Sequence, residues 1–359
     1  MNLPPYVRCV VAGCRRARLL APCLAAAALQ PAFAQTPAIV DTHAHVAYVG
    51  PRATDYARSV EAALPRMDRN GIRSTIVMPP PVGAGRGTVY DIEDYVEAAR
   101  AHPGRILAGG GGGTLNPMLH STPADGVSAA AMDRFRARAE AIAAAGGIAY
   151  GEIALHHLAL APMGPQHPYE AVAPDHPLLL LLADIAAEKD IPIDVHLDLV
   201  PEDMAVPQRP VFGAANPAAL KANLAGFERL LAHNRRARIV WAHAGSDPLG
   251  TRTVSIQREL LSRHPNLYMS LRLPRGGPSS VFALTPQGRI KPEWVALIGE
   301  FSDRFMIGTD YFHGVEGATA RGANEDSLSN YAAALASLPP PVADAVAHGN
   351  AEKLYRMRR

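Results

Sequence analysis

Histidine and carboxylate side chains stand where several short apolar runs of this chain end. The first run ends in Asp41-Thr42-His43-Ala44-His45. Side chains two positions apart on a strand point to the same side, so His43 and His45 can face one ion. Four further runs end in the same way, with Glu152, His196, His243 and Asp310. Imidazole and carboxylate together suit Zn, Mn, Fe or Ni, so the pattern predicts a divalent-metal site.

A single histidine at a strand end is weak evidence, because such a residue is more often a hydrogen-bonded structural group than a ligand. A His-x-His pair is somewhat better. Convergence makes a metal site the better interpretation, since five separate elements would deliver metal-binding side chains to one end of one fold.

The runs that carry these residues are short enough to be buried parallel strands. Eight are predicted: Ala38–Val46, Ser74–Pro79, Arg105–Gly110, Ala149–His156, Ile191–Asp198, Arg238–Gly245, Asn266–Leu273 and Phe305–Tyr311. Helical patterns alternate with them: Thr54–Asn70, Asp91–His102, Ala129–Ala145, His176–Lys189, Pro217–His233, Thr251–Arg263, Pro292–Asp303 and Glu325–Leu338. Eightfold alternation of strand and helix predicts an α/β fold, a (β/α)₈ TIM barrel.

The first 34 residues have the pattern of a secretory signal peptide. Four arginines and no acidic residue precede an apolar run, Leu19–Leu29, which is too short for a membrane span. Ala32-Phe33-Ala34 is a small-x-small cleavage site that places the mature start near Gln35. We therefore predict a signal peptide at 1–34, a barrel domain at 35–359, and a periplasmic or secreted protein without a stable membrane anchor after processing. Arg15-Arg16 only weakly resembles a twin-arginine signal, so the export route stays open.

Composition narrows the chemistry of the mature chain. Its three cysteines, Cys9, Cys14 and Cys23, all lie in the predicted signal peptide. A cysteine-free mature chain has no disulfide and no thiolate, so any metal must be held by histidine and carboxylate. Removing the four arginines leaves 31 basic residues against 33 acidic ones, without a basic block. That balance disfavours a nucleic-acid partner and favours a small-molecule substrate, and it leaves an oligomer open.

Short motifs across the whole mature chain resemble the amidohydrolase superfamily, in particular its amidohydrolase-related (family 2) branch of hydrolases, lactonases and metal-dependent decarboxylases. The matching motifs are Asp41-Thr42-His43-Ala44-His45, Val195-His196, Ala242-His243-Ala244-Gly245, Gly308-Thr309-Asp310 and the closing run from His348 to Tyr355. They occur in the order found in that branch. They are specific for the superfamily and uninformative about the substrate.

The resemblance implies roles for these residues. The residues that would hold a metal are His43, His45, His196 and Asp310. His243 would be a second-metal ligand or an acid or base beside the metal. Glu152 corresponds to a carboxylate that bridges two ions in some members, which favours hydrolysis and permits one or two ions. An arginine partner or a loop cap is the structural alternative for a buried carboxylate of this kind.

A mechanism follows from a divalent ion, for which zinc is the first choice and Mn, Fe or Ni are alternatives. The ion would lower the pKa of a water from about 16 toward about 7 and polarise a carbonyl. Asp310 and His243 are the predicted catalytic residues: Asp310 would accept the proton of the water and pass it on, and His243 would stabilise an oxyanion or protonate the leaving atom. Arg272, His156 and Tyr311 follow strand ends closely enough to bind substrate. For Arg272, a carboxylate clamp and an ion pair with an acid such as Asp247 are equally good interpretations.

Four classes of function compete. The leading hypothesis is an exported metal-dependent hydrolase of a small ester, lactone or amide, and the alternative is a metal-dependent decarboxylase of the same superfamily. A binding protein that has kept the fold would not need Asp310. A nuclease would need the basic surface that the composition does not provide.

Overall fold

The computed structural model describes residues 38–46, 55–81, 90–163, 167, 169–277, 280–314 and 326–357. The chain divides into two units after Gln35, and the described residues all belong to the second. The predicted signal peptide lies outside the described residues and stays a prediction. Among the helices described, none is both long and apolar enough to cross a membrane.

Strand segments recur along the whole described part of the chain. In chain order they are β1 (Ile39–Val46), β2 (Ile72–Val77), β3 (Ile106–Ala108), β4 (Gly110–Gly111), β5 (Tyr150–His157), β6 (Glu170–Ala171), β7 (Ile193–Leu197), β8 (Met204–Ala205), β9 (Ala219–Leu220), β10 (Ile239–Ala244), β11 (Leu267–Leu271), β12 (Phe305–Ile307) and β13 (Tyr311–His313). Nine of these segments, which exclude β6, β8, β9 and β13, form one continuous parallel path.

The path closes into a barrel because β3 and β4 are two parts of one extended segment, separated only by Gly109. The first part pairs with β2, at Thr75 and Ile106, and the second pairs with β5, at Gly110 and Tyr150. Within the path, β12 pairs with β1, so the last barrel strand of the chain lies beside the first. Eight parallel barrel strands therefore form a complete ring among the described residues, which confirms the predicted (β/α)₈ fold.

Helices separate consecutive barrel strands. They are α1 (Tyr56–Arg69), α2 (Val96–Arg100), α3 (Leu115–His120), α4 (Ala129–Ala144), α5 (Pro177–Lys189), α6 (Leu224–His233), α7 (Val254–Arg263), α8 (Pro292–Glu300), α9 (Asp326–Leu335), α10 (Pro340–Asp344) and α11 (Asn350–Leu354). Short 3₁₀ helices span Ile92–Asp94, Ala124–Gly126 and Ala161–Met163, and a π-helix spans Ala345–Gly349. Side chains of Asp55, Ser128 and Thr253 accept backbone N–H groups at the starts of α1, α4 and α7, as helix caps do.

Two predicted helices have different bounds. The segment predicted as Asp91–His102 is a 3₁₀ turn followed by the short α2. The segment predicted as Pro217–His233 begins at Leu224, because Ala219–Leu220 instead pairs with Met204–Ala205 as a small hairpin. That hairpin belongs to the long connection after the fifth barrel strand, and such connections carry the sites of barrel enzymes.

The interior of the barrel is packed below the level of the predicted site. Val40, Ile76, Val240 and Met306 fill its lower part, and α11 covers that end with Leu354. On the outside of the barrel, Trp241 packs against Phe227 of α6, with ring centroids 5.1 Å apart. Each fully buried side chain of this size contributes about 1.5–3 kcal/mol. The packed lower layer leaves the upper rim, at the carboxyl ends of the strands, for chemistry.

Candidate metal centre

All the residues predicted to hold a metal meet at the carboxyl ends of the barrel strands. His43 and His45 lie on β1, Glu152 on β5, His196 on β7, His243 on β10, and Asp310 three residues after β12. Their imidazole and carboxylate atoms form two groups, each close enough to surround one ion. The groups share one residue, Glu152.

The first donor set consists of His43, His45, Glu152 and Asp310. The Nε2 atoms of His43 and His45 are 3.2 Å apart, and Nε2 of His45 is 3.2 Å from Oδ1 of Asp310. Oε2 of Glu152 completes the set, 3.5 Å from Nε2 of His43 and 3.4 Å from Nε2 of His45. Four donor atoms thus face one point inside the rim.

The second donor set consists of Glu152, His196 and His243. Oε1 of Glu152 lies 2.7 Å from Nδ1 of His196 and 3.0 Å from Nε2 of His243. The two ring nitrogens are 3.1 Å from each other. Glu152 therefore presents one oxygen to each set, which is the arrangement of a carboxylate that bridges two ions.

The position of His196 differs from what the resemblance implied. The resemblance placed His196 with His43, His45 and Asp310 around one metal. In the structure, Nδ1 of His196 faces Glu152 and His243 instead. The six predicted residues come together as two sets that share Glu152, the residue for which the resemblance allowed two ions.

Partners of the far ring nitrogens fix which nitrogen faces each set. Nδ1 of His45 is 2.9 Å from the carbonyl oxygen of Met78, and Nδ1 of His43 is 3.0 Å from Oδ1 of Asp194. Nε2 of His196 is 3.5 Å from Oδ2 of Asp198. Carbonyl and carboxylate oxygens only accept, so the Nδ1 atoms of His45 and His43 donate, and their Nε2 atoms are the ones that can offer a lone pair to an ion.

The donor atoms fit a divalent metal. With their Nδ1–H groups engaged, the Nε2 atoms of His43 and His45 face each other as two acceptors, which is favourable only with a positive charge between them. Ligand nitrogens at about 2.0–2.1 Å from a tetrahedral zinc lie about 3.3 Å apart, close to the separations seen here. The residues present are therefore suitable ligands for Zn²⁺ or a similar ion.

Electrostatics at the rim also favour a cation. Burial lowers the pKa of His43, but the carboxylates of Asp194 and Glu152 outweigh it and hold this pKa well above its ordinary value. Burial likewise lowers the pKa of His196, whereas Asp198 and Glu152 raise it to about 10. Burial raises the pKa of Glu152, yet the surrounding imidazoles hold it well below its usual range. The raised pKa values of His43 and His196 reflect buried carboxylates beside them, and such negative charge attracts positive ions.

Two of the donor residues have backbone conformations that residues other than glycine rarely adopt. His243 has φ of 61° and Asp310 has φ of 55°, in the left-handed region. Non-glycine residues in this region cost about 1–3 kcal/mol each and cluster at functional sites. Gly308, two residues before Asp310, has no room for a side chain, because a Cβ there would clash with Oγ of Ser270 and lie 3.0 Å from Cβ of His43.

The three predicted substrate-binding residues have different surroundings. Arg272 lies beside the first set, with Nε 2.9 Å from Oδ2 of Asp310 and Nη1 donating to Oγ of Ser246 at 3.0 Å. Its side chain is 36% exposed, so it remains open to a substrate. Tyr311 is buried on β13, beside β1, with its ring 4.9 Å from that of His313. The acid partner of Arg272 is thus Asp310 and not Asp247.

His156 is buried against Tyr169, whose hydroxyl is 3.4 Å from its Nε2. The neighbouring His157 lies against the metal centre instead, with its ring centroid 4.6 Å from that of His196. The pairing of β5 with β7 shifts register between Ala154 and His156. This irregularity interrupts the simple alternation of side chains, so residues counted outward from Glu152 do not keep its direction.

The sequence patterns assigned no role to Asp194 and did not single out His167. Asp194 precedes His196 by two residues on a strand, so their shared direction was an available signal. His167 packs on His157, with ring centroids 4.2 Å apart, but it lies in a connection without periodicity. Burial lowers the pKa of His157 to about 3, so this wall beside His196 consists of neutral imidazole.

A family model described as amidohydrolase matches residues 40–357 of the chain. The match begins within β1 and ends after α11, so it includes every residue of both donor sets. No curated protein matches the chain.

Solved structures similar to this chain include enzymes of several kinds. The 2,6-dihydroxybenzoate decarboxylase from Rhizobium is 16% identical, with 89% of this chain and 99% of that chain covered and a TM-score of 0.45. The 5-carboxyvanillate decarboxylase from Novosphingobium aromaticivorans is 12% identical, with 90% and 97% covered and a TM-score of 0.48. Amidohydrolase 2 from Bifidobacterium longum subsp. infantis is 11% identical, with 90% and 100% covered and a TM-score of 0.45. These similarities are distant, and the family assignment rests on the family model.

Proposed function

This chain belongs to the amidohydrolase family, and from that premise we propose that it hydrolyses a small ester, lactone or amide with the help of divalent metal. The observation that carries the proposal is the position of Glu152, whose two oxygens face two different donor sets. A shared carboxylate of this kind supports two ions, and two-ion sites suit reactions that activate a water and stabilise a leaving oxygen.

The residues of the first set would hold one ion, and Glu152, His196 and His243 would hold the other. Zinc is the proposed metal, with Mn, Fe and Ni as alternatives, because the donors are imidazole and carboxylate. A bound ion supplies Lewis acidity, which lowers the pKa of a water toward about 7 and polarises a carbonyl.

Asp310 would accept the proton of the attacking water and pass it to the leaving atom. Its Oδ1 faces the first set, so a proton can be accepted there while Oδ2 stays with Arg272. Burial raises the pKa of Asp310, but His243, Arg272 and His45 hold it well below its usual range. Asp310 is therefore charged at neutral pH and ready to accept, though only as a weak base that needs an acidified water.

His243 is better explained as a ligand than as a proton donor. Its Nε2 faces Glu152 at 3.0 Å, and its Nδ1 is 4.0 Å from Oδ2 of Asp310, too far for a hydrogen bond. Arg272 is the proposed contact for an anionic group of the substrate, since its partly exposed side chain lies beside Asp310 at the rim.

The test of this function is a product analysis with protein loaded with Zn²⁺ or Mn²⁺. We expect turnover of esters, lactones or amides, with one oxygen of labelled water in the product acid. Carbon dioxide release from a carboxylated substrate, without incorporation of label, would replace hydrolysis by the decarboxylase alternative. His43→Ala protein should remain folded and lose turnover. Full activity of this variant without bound metal would contradict both the hydrolase proposal and the decarboxylase alternative.

We also propose that the mature protein is exported to the periplasm or secreted. The support is the basic, apolar and small-residue order of residues 1–34. Expression of the full chain in a bacterium, fractionation and N-terminal sequencing test it. A mature protein that starts near Gln35 outside the cytoplasm is expected, and an uncleaved cytoplasmic chain would contradict it.

A further inference from the structure

Asp194 is a buried carboxylate for which the proposed reaction has no role. It lies on β7, two residues before His196, and its side chain is completely buried. Oδ1 of Asp194 is 3.0 Å from Nδ1 of His43, on a different strand and 151 positions away in sequence. The strand that supplies one ligand of the second set therefore also reaches a ligand of the first.

The contact decides what His43 can offer to an ion. Because a carboxylate only accepts, Nδ1 of His43 carries the proton and donates it to Asp194. Nε2 then keeps its lone pair, 3.2 Å from Nε2 of His45 and 3.5 Å from Oε2 of Glu152. A neutral imidazole without this acceptor can place its proton on Nε2, where it would block coordination.

The backbone around Asp194 is shaped to allow this contact. Gly151, on the paired strand β5, lies directly against Asp194, and a Cβ there would come within 2.9 Å of Cβ of Asp194 and 2.7 Å of Sδ of Met78. Only the absence of a side chain at Gly151 leaves room for Asp194 in the barrel interior. The glycine that precedes the shared carboxylate Glu152 thus also makes room for the partner of His43.

A purely structural role accounts poorly for Asp194. Its second oxygen, Oδ2, is buried and has no hydrogen-bond partner among the described residues. A buried carboxylate with an unpaired oxygen costs free energy, and apolar residues of similar size often replace such groups without loss of stability. An acidic side chain at this position is better explained by its contact with His43.

We propose that Asp194 is a positioning residue for the first donor set, which fixes the proton of His43 on Nδ1 and presents Nε2 to the metal. The inference rests on the proposed metal centre and assigns a residue that acts through His43 rather than on the substrate. Its predicted consequence is a selective loss of metal affinity in the first set when Asp194 is replaced.

The experiment is a Co²⁺ titration followed by visible absorption, in a His196→Ala background that leaves only the first set. Loss of the acceptor charge in Asp194→Asn is expected to weaken Co²⁺ binding by about 10-fold, and Asp194→Ala by about 100-fold, the range for such partners of metal-bound histidines. The absorption spectrum of bound Co²⁺ should also change in both Asp194 variants, because the ring of His43 loses its fixed orientation.

The matched control is Asp91→Asn. Asp91 is also buried, its Oδ1 accepts backbone N–H groups of Ile92 and Gly111, and none of its described hydrogen bonds or ion pairs reaches a donor residue of either set. This variant should lower the melting temperature without changing Co²⁺ affinity. Asp194 variants that behave like this control, with affinity within about twofold of the parent, would show a structural ion pair and overturn the inference.

A second readout is the tautomer of His43 in long-range proton–nitrogen NMR spectra of Zn²⁺-loaded protein. We expect a protonated Nδ1 in the parent and a mixture in Asp194→Ala. If the parent binds no Co²⁺ or Zn²⁺, the proposed function fails and this inference fails with it. If the parent binds and Asp194 has no effect, only the inference about Asp194 fails.

Discussion

The two donor sets at the barrel rim differ in the number of donor groups and in the exposure of their histidines, although they share Glu152. In the first set, the side chains of His43 and His45 are fully buried and Asp310 is 19% exposed. In the second set, His196 is 15% exposed and His243 10% exposed. The first set offers four donor groups and the second offers three.

This difference is the one found between closed and open metal sites. Four protein donors saturate a tetrahedral ion, whereas three leave a position for water or substrate. The outer partners differ as well, since Asp194 contacts His43 at 3.0 Å and Asp198 contacts His196 only at 3.5 Å. We therefore expect the first set to bind its ion more tightly and the second to exchange more readily.

The largest effect should follow from changing the residue that both sets share. Glu152→Gln removes the one negative charge that both sets share. We therefore expect loss of both ions and a fall in kcat/KM on the order of 10⁴-fold or more. Elemental analysis and steady-state kinetics measure the two quantities. Retention of two ions in this variant would show that the sets are independent.

Single replacements in each set should then separate them. His43→Ala is expected to lower the bound metal to one ion or none, and His196→Ala to one ion held by the first set. Activity should fall on the order of 10³-fold in both, because each ion is needed. Circular dichroism should show an unchanged barrel. If His196→Ala released the tightly bound ion instead, the order of affinities would be reversed.

Arg272 lies on the side of the first set and should affect substrate more than metal. Removal of its guanidinium in Arg272→Met is expected to raise KM for an anionic substrate by about 10- to 100-fold, the worth of a charge-assisted hydrogen bond. KM for an uncharged analogue should change little. Arg275→Met is the control, because Arg275 is an exposed residue three positions further along the same connection.

The smallest effect on metal binding should come from steric crowding at Gly308, which lies next to His43 of the first set. Gly308→Ala places a Cβ against Ser270 and His43, and should destabilise the fold by about 1–3 kcal/mol and weaken the first ion. Gly299→Ala in α8 is the matched control, since nothing lies within 4 Å of its Cβ position. It should be neutral or stabilising by about 0.5–1 kcal/mol. Equal melting temperatures for the two variants would contradict this account of Gly308.

Sequence alone was sufficient for the barrel and for the six residues that gather at its rim. Strand ends of a parallel barrel share one face, so residues such as His45 and Asp310 could be brought together without knowing their partners. The resemblance allowed two ions that share Glu152, but the set to which His196 belongs could not be foreseen, because it depends on which nitrogen of His196 faces inward and on the left-handed backbone of His243. Both are set by tertiary contacts.

The register of β5 explains why the sequence pattern did not show which of His156 and His157 faces the metal centre. Alternation counted from Glu152 selects His156, but the irregular pairing with β7 turns His157 toward His196. Asp194 shows the reverse case, because the i and i+2 rule that links it to His196 was available and its partner on β1 was not. Which residue of one strand contacts which residue of a distant strand is set by the tertiary structure and cannot be read from spacing along the chain.

The most direct test of the two-set centre is anomalous diffraction from crystals of protein loaded with Zn²⁺. The account predicts two peaks on either side of Glu152, one beside His43, His45 and Asp310 and the other beside His196 and His243. A single ion held jointly by His43, His45, His196 and Asp310, with Glu152 outside its coordination, would contradict it.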